Sequence, residues 1–394
     1  MNIEVSRRLE HFQTGIFAAL DEKKDALSKS GRKVYNLSVG TPDFPVFDHV
    51  RDALIAAARE PDNFHYALKD LPELHTAIKD YYKRRFGVEI STDEVTSVNG
   101  SQEGIAHIGM ALCNPGDVVL LPNPGYPVFE VGGYFGQAKL YFYDLKEEND
   151  FLPKFDDIPD EIARQAKYIM VSYPYNPVCA VAPDSFYKEL IAFAKKYNII
   201  VVHDNAYSDI IYDGVYGGSF LSFEGAKEVG VEMFSLSKSF NLTGARVSFV
   251  VGNKEVIDAV KLLRSQYDFG MFLPIQHAAI AALTGPLDEV KAQCAKYQER
   301  RDVLCDGLRA IGWDIRRSQG TMFAWARIPE GFSSSQEFCM ELMEKTGVLC
   351  TPGDAFGSMG EGYVRFAMVL PVETLREMIQ VIDESGILRR RNFP

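Results

Sequence analysis

Ile199-Ile200-Val201-Val202-His203-Asp204-Asn205-Ala206-Tyr207 is the stretch on which the fold turns. Four β-branched residues in succession leave no polar face to the pleat, so a strand over Ile199–His203 must be covered on both sides. Ahead of it, Asp184–Tyr197 carries apolar residues at helical spacing. Behind it, the chain switches at once to polar groups. A helix feeding a doubly covered strand is the repeating unit of a parallel sheet wrapped by helices.

The same alternation extends in both directions. Val95–Val98, Val118–Leu121, Tyr168–Val171, Met233–Leu236 and Val247–Val251 read as strands, and Gln102–Cys113 and Lys254–Arg264 as helices. Beyond Gly285-Pro286 the rhythm changes. A long charged helix is expected from about Asp288 to Ala310, then short strands near Trp313–Arg316, Met322–Arg327 and Tyr363–Phe366, then a closing helix from about Pro371 to Glu384. The expectation is an α/β protein in two parts: a large domain over residues 42–286 with a mainly parallel sheet, and a smaller α+β domain made from residues 1–41 and 287–394. A chain of 394 residues also exceeds the roughly 250–300 at which a single core stops growing.

Composition excludes several classes of partner. With 42 basic and 54 acidic residues the net charge is −12, which disfavours nucleic acid and anionic membrane surfaces. None of the six cysteines forms a C-x-x-C pair, so neither a zinc site nor a dithiol redox motif is expected, and inert thiols in a reducing compartment are. Met1–Glu10 lacks the apolar core of a signal peptide, and no run of about 18 apolar residues exists; a cytoplasmic protein is expected.

Ligands of open α/β sheets gather beyond the carboxyl ends of the strands, and five polar clusters fall there. Asp204 follows Ile199–His203, with Tyr207 one turn further on. Tyr173-Pro174-Tyr175-Asn176-Pro177 makes a rigid exit turn that presents the Asn176 amide. Asn99-Gly100-Ser101-Gln102-Glu103-Gly104 joins a strand to a helix N-terminus, where free N–H groups and the dipole favour an anion. Pro122-Asn123-Pro124-Gly125-Tyr126 sets an aromatic ring at the sheet edge. Ser235-Leu236-Ser237-Lys238 and Gly244-Ala245-Arg246 combine hydroxyls and a guanidinium suited to a phosphate dianion with a lysine that is costly to bury unless neutralised. Each alone reads equally well as an ordinary strand exit: a helix cap, a turn, a packed ring, a solvated lysine. Together they supply what pyridoxal 5′-phosphate (PLP) needs from a protein, namely an amine, a phosphate cradle, a carboxylate for the ring nitrogen, a donor for the phenolic oxygen and a flat neighbour.

In this order and spacing the motifs resemble the class I/II aminotransferases of PLP fold type I. The resemblance runs from Leu37-Ser38-Val39-Gly40-Thr41-Pro42-Asp43-Phe44, through Ser-x-Ser-Lys-x₅-Gly-x-Arg at 235–246, to Val364-Arg365-Phe366. It implies that Lys238 carries the cofactor covalently and shuttles a proton, that Asp204 pairs with the pyridine nitrogen, and that Asn176 and Tyr207 meet the phenolic oxygen. Tyr126 would stack on the ring. Ser101, Gln102, Ser235 and Arg246 would hold the phosphate, and Arg365 and Gly40 the substrate α-carboxylate. It also implies a homodimer whose composite sites take Tyr66 (His65 in the alternative register) from the neighbouring subunit. Amino-acid and 2-oxo acid substrates follow; no metal does. Three positions depart from the family pattern: Val178-Cys179 replaces Thr-Gly, Asp70 stands at a glycine, and His75 stands at an arginine. Residues 261–276 and Ala180-Val181-Ala182-Pro183 are similar to the LL-diaminopimelate aminotransferase group, which implies that donor with 2-oxoglutarate as acceptor. A broad alanine or aromatic aminotransferase and a carbon–sulfur lyase are the alternatives. Arg264 and Lys69 are candidates to read a second carboxylate, and Thr14-Gly15-Ile16-Phe17 a candidate cover for the entrance.

Overall fold

The computed structural model describes the chain except for residues 2, 13–21, 23, 25–28, 30, 216 and 390–394, so the expected cover at residues 14–17 lies outside the described residues. In chain order the strands are β1 (Tyr35–Asn36), β2 (Val95–Val98), β3 (Val118–Asn123), β4 (Lys139–Asp144), β5 (Ala166–Ser172) and β6 (Ile200–Asp204). They continue with β7 (Gly230–Ser235), β8 (Ser248–Gly252), β9 (Phe323–Arg327), β10 (Val348–Leu349), β11 (Thr351–Pro352) and β12 (Tyr363–Ala367). A seven-stranded sheet has the order β2-β8-β7-β6-β5-β3-β4. β8 runs antiparallel to both neighbours, and the remaining pairings are parallel. Two reversals across β8 bring β2 back into the common direction. The carboxyl ends of β2, β3, β5, β6 and β7 therefore open on one edge.

Burial explains which strands announce themselves. β3, β7 and β8 are buried at every residue, as strands roofed by helices on both faces must be. β4 is the edge strand; Lys139, Phe142 and Asp144 on it face solvent, and its mixed sequence carries no such run. The helix Asp184–Tyr197 packs an apolar stripe of Phe186, Leu190, Ile191, Phe193 and Ala194, and ends on Asn198 at φ 58°. That left-handed cap turns the chain directly into β6.

A second, antiparallel sheet has the order β11-β12-β9, and β1 pairs in parallel with β10. The N-terminal segment thus joins the C-terminal part of the chain through main-chain bonds. The strand expected at Trp313–Arg316 is reduced to one bridge, Ile315 to Ala326. Here the chain is held by side chains instead: Trp313 Nε1 donates to Arg327 O at 2.7 Å. The helix Asp288–Ala310 anchors the segment leading into the large sheet, because Arg300 grips Asp43 with both terminal nitrogens at 2.7 Å. Among the described residues no helix is long and apolar enough to cross a membrane.

Candidate active site

Lys238 sits on the short turn Leu236–Ser239 that ends β7, where the Ser235 hydroxyl accepts from the Ser237 N–H at 3.2 Å. Its Nζ donates to Gly40 O at 2.8 Å. Burial lowers its pKa to about 8, helped by the Arg365 and Arg246 charges and opposed by Asp204. Roughly a tenth of such an amine is neutral at pH 7, against under a thousandth for an ordinary lysine. The side chain is thus poised as a nucleophile and proton carrier.

Asp204, the last residue of β6, has the opposite problem. Burial pushes its carboxyl up to about 6, against the pull of the Ala206 N–H (3.2 Å), His203 and Lys238. Among the described residues no cation is in ion-pair contact with it, so burial holds this carboxyl above the ordinary range and a positive partner would bring it back down. Tyr207 is buried nearby, with its ring edge-on to Phe323 at 5.8 Å, and Tyr126 shares the electrostatic surroundings of Asp204, Arg246 and Arg365.

Arg365, on β12, reaches the same edge from the second sheet. Its Nη1 donates to Asn176 Oδ1 at 2.8 Å and its Nη2 to Ser38 O at 3.1 Å. The guanidinium lies between the rings of Phe323 (4.1 Å) and Phe356 (4.6 Å). These two phenylalanines escaped the sequence reading, because an aromatic residue in a strand looks like core. Phe323 also fixes Gly40, since a Cβ there would fall 2.3 Å from the ring. One side chain thus touches both the arginine and the backbone that receives Lys238.

At the start of the helix Ser101–Leu112, Gly100 has φ +94°, and a Cβ on it would lie 2.1 Å from Arg246 Nη2. The Ser101 hydroxyl donates to Ser248 Oγ at 3.2 Å, Gln102 is exposed beside it, and Arg246 itself holds φ 53°. An open helix N-terminus, two hydroxyls and a guanidinium form an anion cradle. Gly100→Ala should drive Arg246 out of this cradle and strain the turn. The expected result is a loss of about 10- to 100-fold in affinity for a phosphorylated cofactor, the worth of one charge-assisted bond, read by equilibrium titration.

The candidates for the neighbouring phosphate and for a second carboxylate stand apart from this cluster. Tyr66 is exposed, its ring against Phe269 at 5.0 Å, while His65 turns back to Asp62 O at 3.0 Å. Arg264 is not available to read a second carboxylate: it is buried, held by Ser97 and bidentate on Asp268. Lys69 remains exposed.

The family model for aminotransferases of class I and II matches residues 32–382. The chain belongs to that family. As a PLP-dependent-family aminotransferase it has relatives along its whole length. The LL-diaminopimelate aminotransferase of Halothermothrix orenii is 41% identical over 387 residues, 98% of this chain and 99% of that one. The enzyme of the same name from Aquifex aeolicus is 41% identical over 381 residues, 96% and 98% of the two chains. Among solved structures, substrate-bound BacF from Bacillus subtilis matches at a TM-score of 0.93 and 37% identity over 98% of both chains. The alanine aminotransferase of Pyrococcus furiosus matches at 0.90 and 29%, over 98% of this chain and all of its own.

At Val178-Cys179 the turn is closed by main-chain hydrogen bonds. Cys179 takes φ 62°, the left-handed conformation that a glycine would adopt freely, at a cost of about 1–3 kcal/mol. Cys179 N still donates to Tyr175 O (2.7 Å) and Tyr175 N to Ala180 O (2.9 Å), so Asn176 keeps its place under Arg365.

Proposed function

We propose that this aminotransferase carries PLP on Lys238 and moves an amino group from LL-diaminopimelate to 2-oxoglutarate, binding the two in turn. The observation that carries the reading is the convergence at one sheet edge of a lysine with a lowered pKa, a buried carboxyl with a raised one and a buried arginine with an unpartnered Nε. The residues fit PLP. Asp204 lacks the cation that a pyridinium would provide, and Gly100, Ser101, Ser235 and Arg246 leave room and donors for a phosphate.

Bound there, the cofactor's ring would draw electrons from the substrate α-carbon. Asp204 would hold the proton on the ring nitrogen, Tyr207 and Asn176 would donate toward the phenolic oxygen, and Tyr126 would flank the ring. Gln102 would add to the phosphate donors. Arg365, with the Gly40 backbone beside it, would orient the α-carboxylate, and Lys238 would take the proton from the α-carbon and return it. Asp204→Asn should cut kcat about 10²–10³-fold, because the charge it removes is needed most in the transition state, while PLP affinity changes far less. Steady-state rates beside PLP titrations separate the two; equal losses in both would remove Asp204 from this role.

The donor rests on the names of the relatives that are about 40% identical over the full chain. With Arg264 engaged elsewhere, a broad alanine or aromatic specificity is the second reading. A panel of donors at equal concentration decides: kcat/KM for alanine, tyrosine or phenylalanine about tenfold above that for LL-diaminopimelate would overturn the diaminopimelate assignment and leave aminotransfer standing.

We further propose a homodimer in which Tyr66 completes the neighbouring phosphate site, and a division into a large unit (42–286) and a small one (1–41 with 287–394). The dimer is supported by the exposed apolar surface around Phe64, Tyr66, Phe269 and Phe272, paired by ring contacts of 5.4 and 5.0 Å.

A further inference from the structure

Two positions at which this chain departs from its family face one another. Asp70 stands at the glycine and His75 at the arginine, and His75 Nε2 lies 3.1 Å from Asp70 Oδ2. The Asp70 carboxylate is buried and directs its other bonds to a single residue. The Ser97 N–H donates to Oδ2 at 2.9 Å and the Ser97 hydroxyl to Oδ1 at 2.5 Å. Burial alone would raise this carboxyl; the bonds from His75 and Ser97 outweigh it and hold it below the ordinary range.

Ser97 is a junction. Its carbonyl and hydroxyl also receive Arg264, whose other edge is bidentate on Asp268 at 2.9 and 3.2 Å, and Asp268 Oδ1 accepts from the Gly270 N–H at 2.7 Å. On the Asp70 side, the Leu71 N–H donates to Gln276 Oε1 at 2.7 Å, and Gln276 Nε2 donates to Met271 O at 2.8 Å. The segment bearing Tyr66 and the segment bearing Phe269 are thus both tied to the third residue of β2. Two residues further on, at Asn99, begins the turn that forms the anion cradle. A glycine at position 70 has no side chain to make any of the Ser97 bonds.

We propose that Asp70, held by His75, is a positioning residue for phosphate binding: through Ser97 it fixes the turn Asn99–Gln102 and sets the Tyr66 segment against the same strand. The inference rests on the PLP reading of the cradle. It also gives His75 a part, since its imidazole lies within hydrogen-bond reach of the Asp70 carboxylate.

The test compares two ligands that differ only at the phosphate. The full-length chain, freed of cofactor, is titrated with PLP and separately with pyridoxal, as wild type, Asp70→Asn and Ser97→Ala. A positioning role weakens PLP by about tenfold in both variants and leaves pyridoxal unchanged, since the loss of one charge-assisted bond is transmitted to the phosphate alone. A merely structural role would lower both affinities together. An unchanged PLP-to-pyridoxal preference in Ser97→Ala overturns the proposal, and this variant decides alone if Asp70→Asn does not fold. A wild-type chain that binds the two ligands alike would overturn the cradle reading itself, and the proposal with it.

Discussion

Lys238→Ala is expected to lose transamination by at least ~10⁴-fold while the chain stays folded. On the proposed roles the variant would remove both the covalent tether and the group that moves the α-proton, and general acid–base catalysis alone accounts for about 10²–10⁴. Stability should not suffer in proportion. Lys238 is a buried amine whose pKa of about 8 lies below its unfolded value near 10.4. Between those values the unfolded chain binds more protons than the folded one, so the cost of burying this lysine is full below pH 8 and fades as pH rises toward 10.4. In the cofactor-free chain, Lys238→Ala should therefore compare most favourably with wild type near pH 7 and lose that advantage near pH 10, as urea midpoints would show. The chemical assignment has its own check. Borohydride reduction and peptide mapping should put the pyridoxyl group on the peptide containing Lys238, and label on any other lysine would refute it.

How far the sequence reaches is set by burial. β3, β6 and the helix Asp184–Tyr197 were legible because strands roofed on both faces carry apolar runs, Val118–Leu121 and Ile200–Val202, and a helix packed on one face must show its stripe. β4 was not, because an edge strand alternates under the demands of solvent and core at once. The helix Leu273–Thr284 also gave no signal: Ala278, Ala279, Ala282 and Leu283 bury it among neighbours on several sides, which erases the polar face that would mark a helix. At the site, Lys238, Asp204 and Asn176, which the structure brings to one sheet edge with Arg365, were legible by type and by position after a strand. What was not legible is how they are held. The rings of Phe323 and Phe356 over Arg365, and the meeting of Asp70 with Ser97, join residues on different elements in ways no local pattern encodes. Arg264 shows the converse, since a cation suited by type to a carboxylate substrate is already used by Ser97 and Asp268.

Arg365→Ala should lower kcat/KM for every donor and every acceptor by a similar factor. All of them carry the α-carboxylate that Arg365 is proposed to receive. Its setting argues for a fixed receptor. The residue is 4% exposed, two of its donors are occupied by Asn176 and Ser38, and two aromatic faces hold the guanidinium in plane. Burial lowers its pKa to about 10, so it remains charged at pH 7 yet is short of counter-charge. A substrate carboxylate would supply that charge and meet the unpartnered Nε. Breaking one side of such a buried pair costs roughly 2–5 kcal/mol, or about 30- to several-thousand-fold in kcat/KM. Lysine should not rescue the loss, because an ammonium has neither the fork that meets a carboxylate at two points nor the flat face that Phe323 and Phe356 clasp. Kinetics of Arg365→Ala and Arg365→Lys on at least two donors and two acceptors make the test. A defect confined to one substrate would move Arg365 from α-carboxylate binding to side-chain recognition, whereas a uniform defect in both variants is the signature of a clamp on the one group that all substrates share.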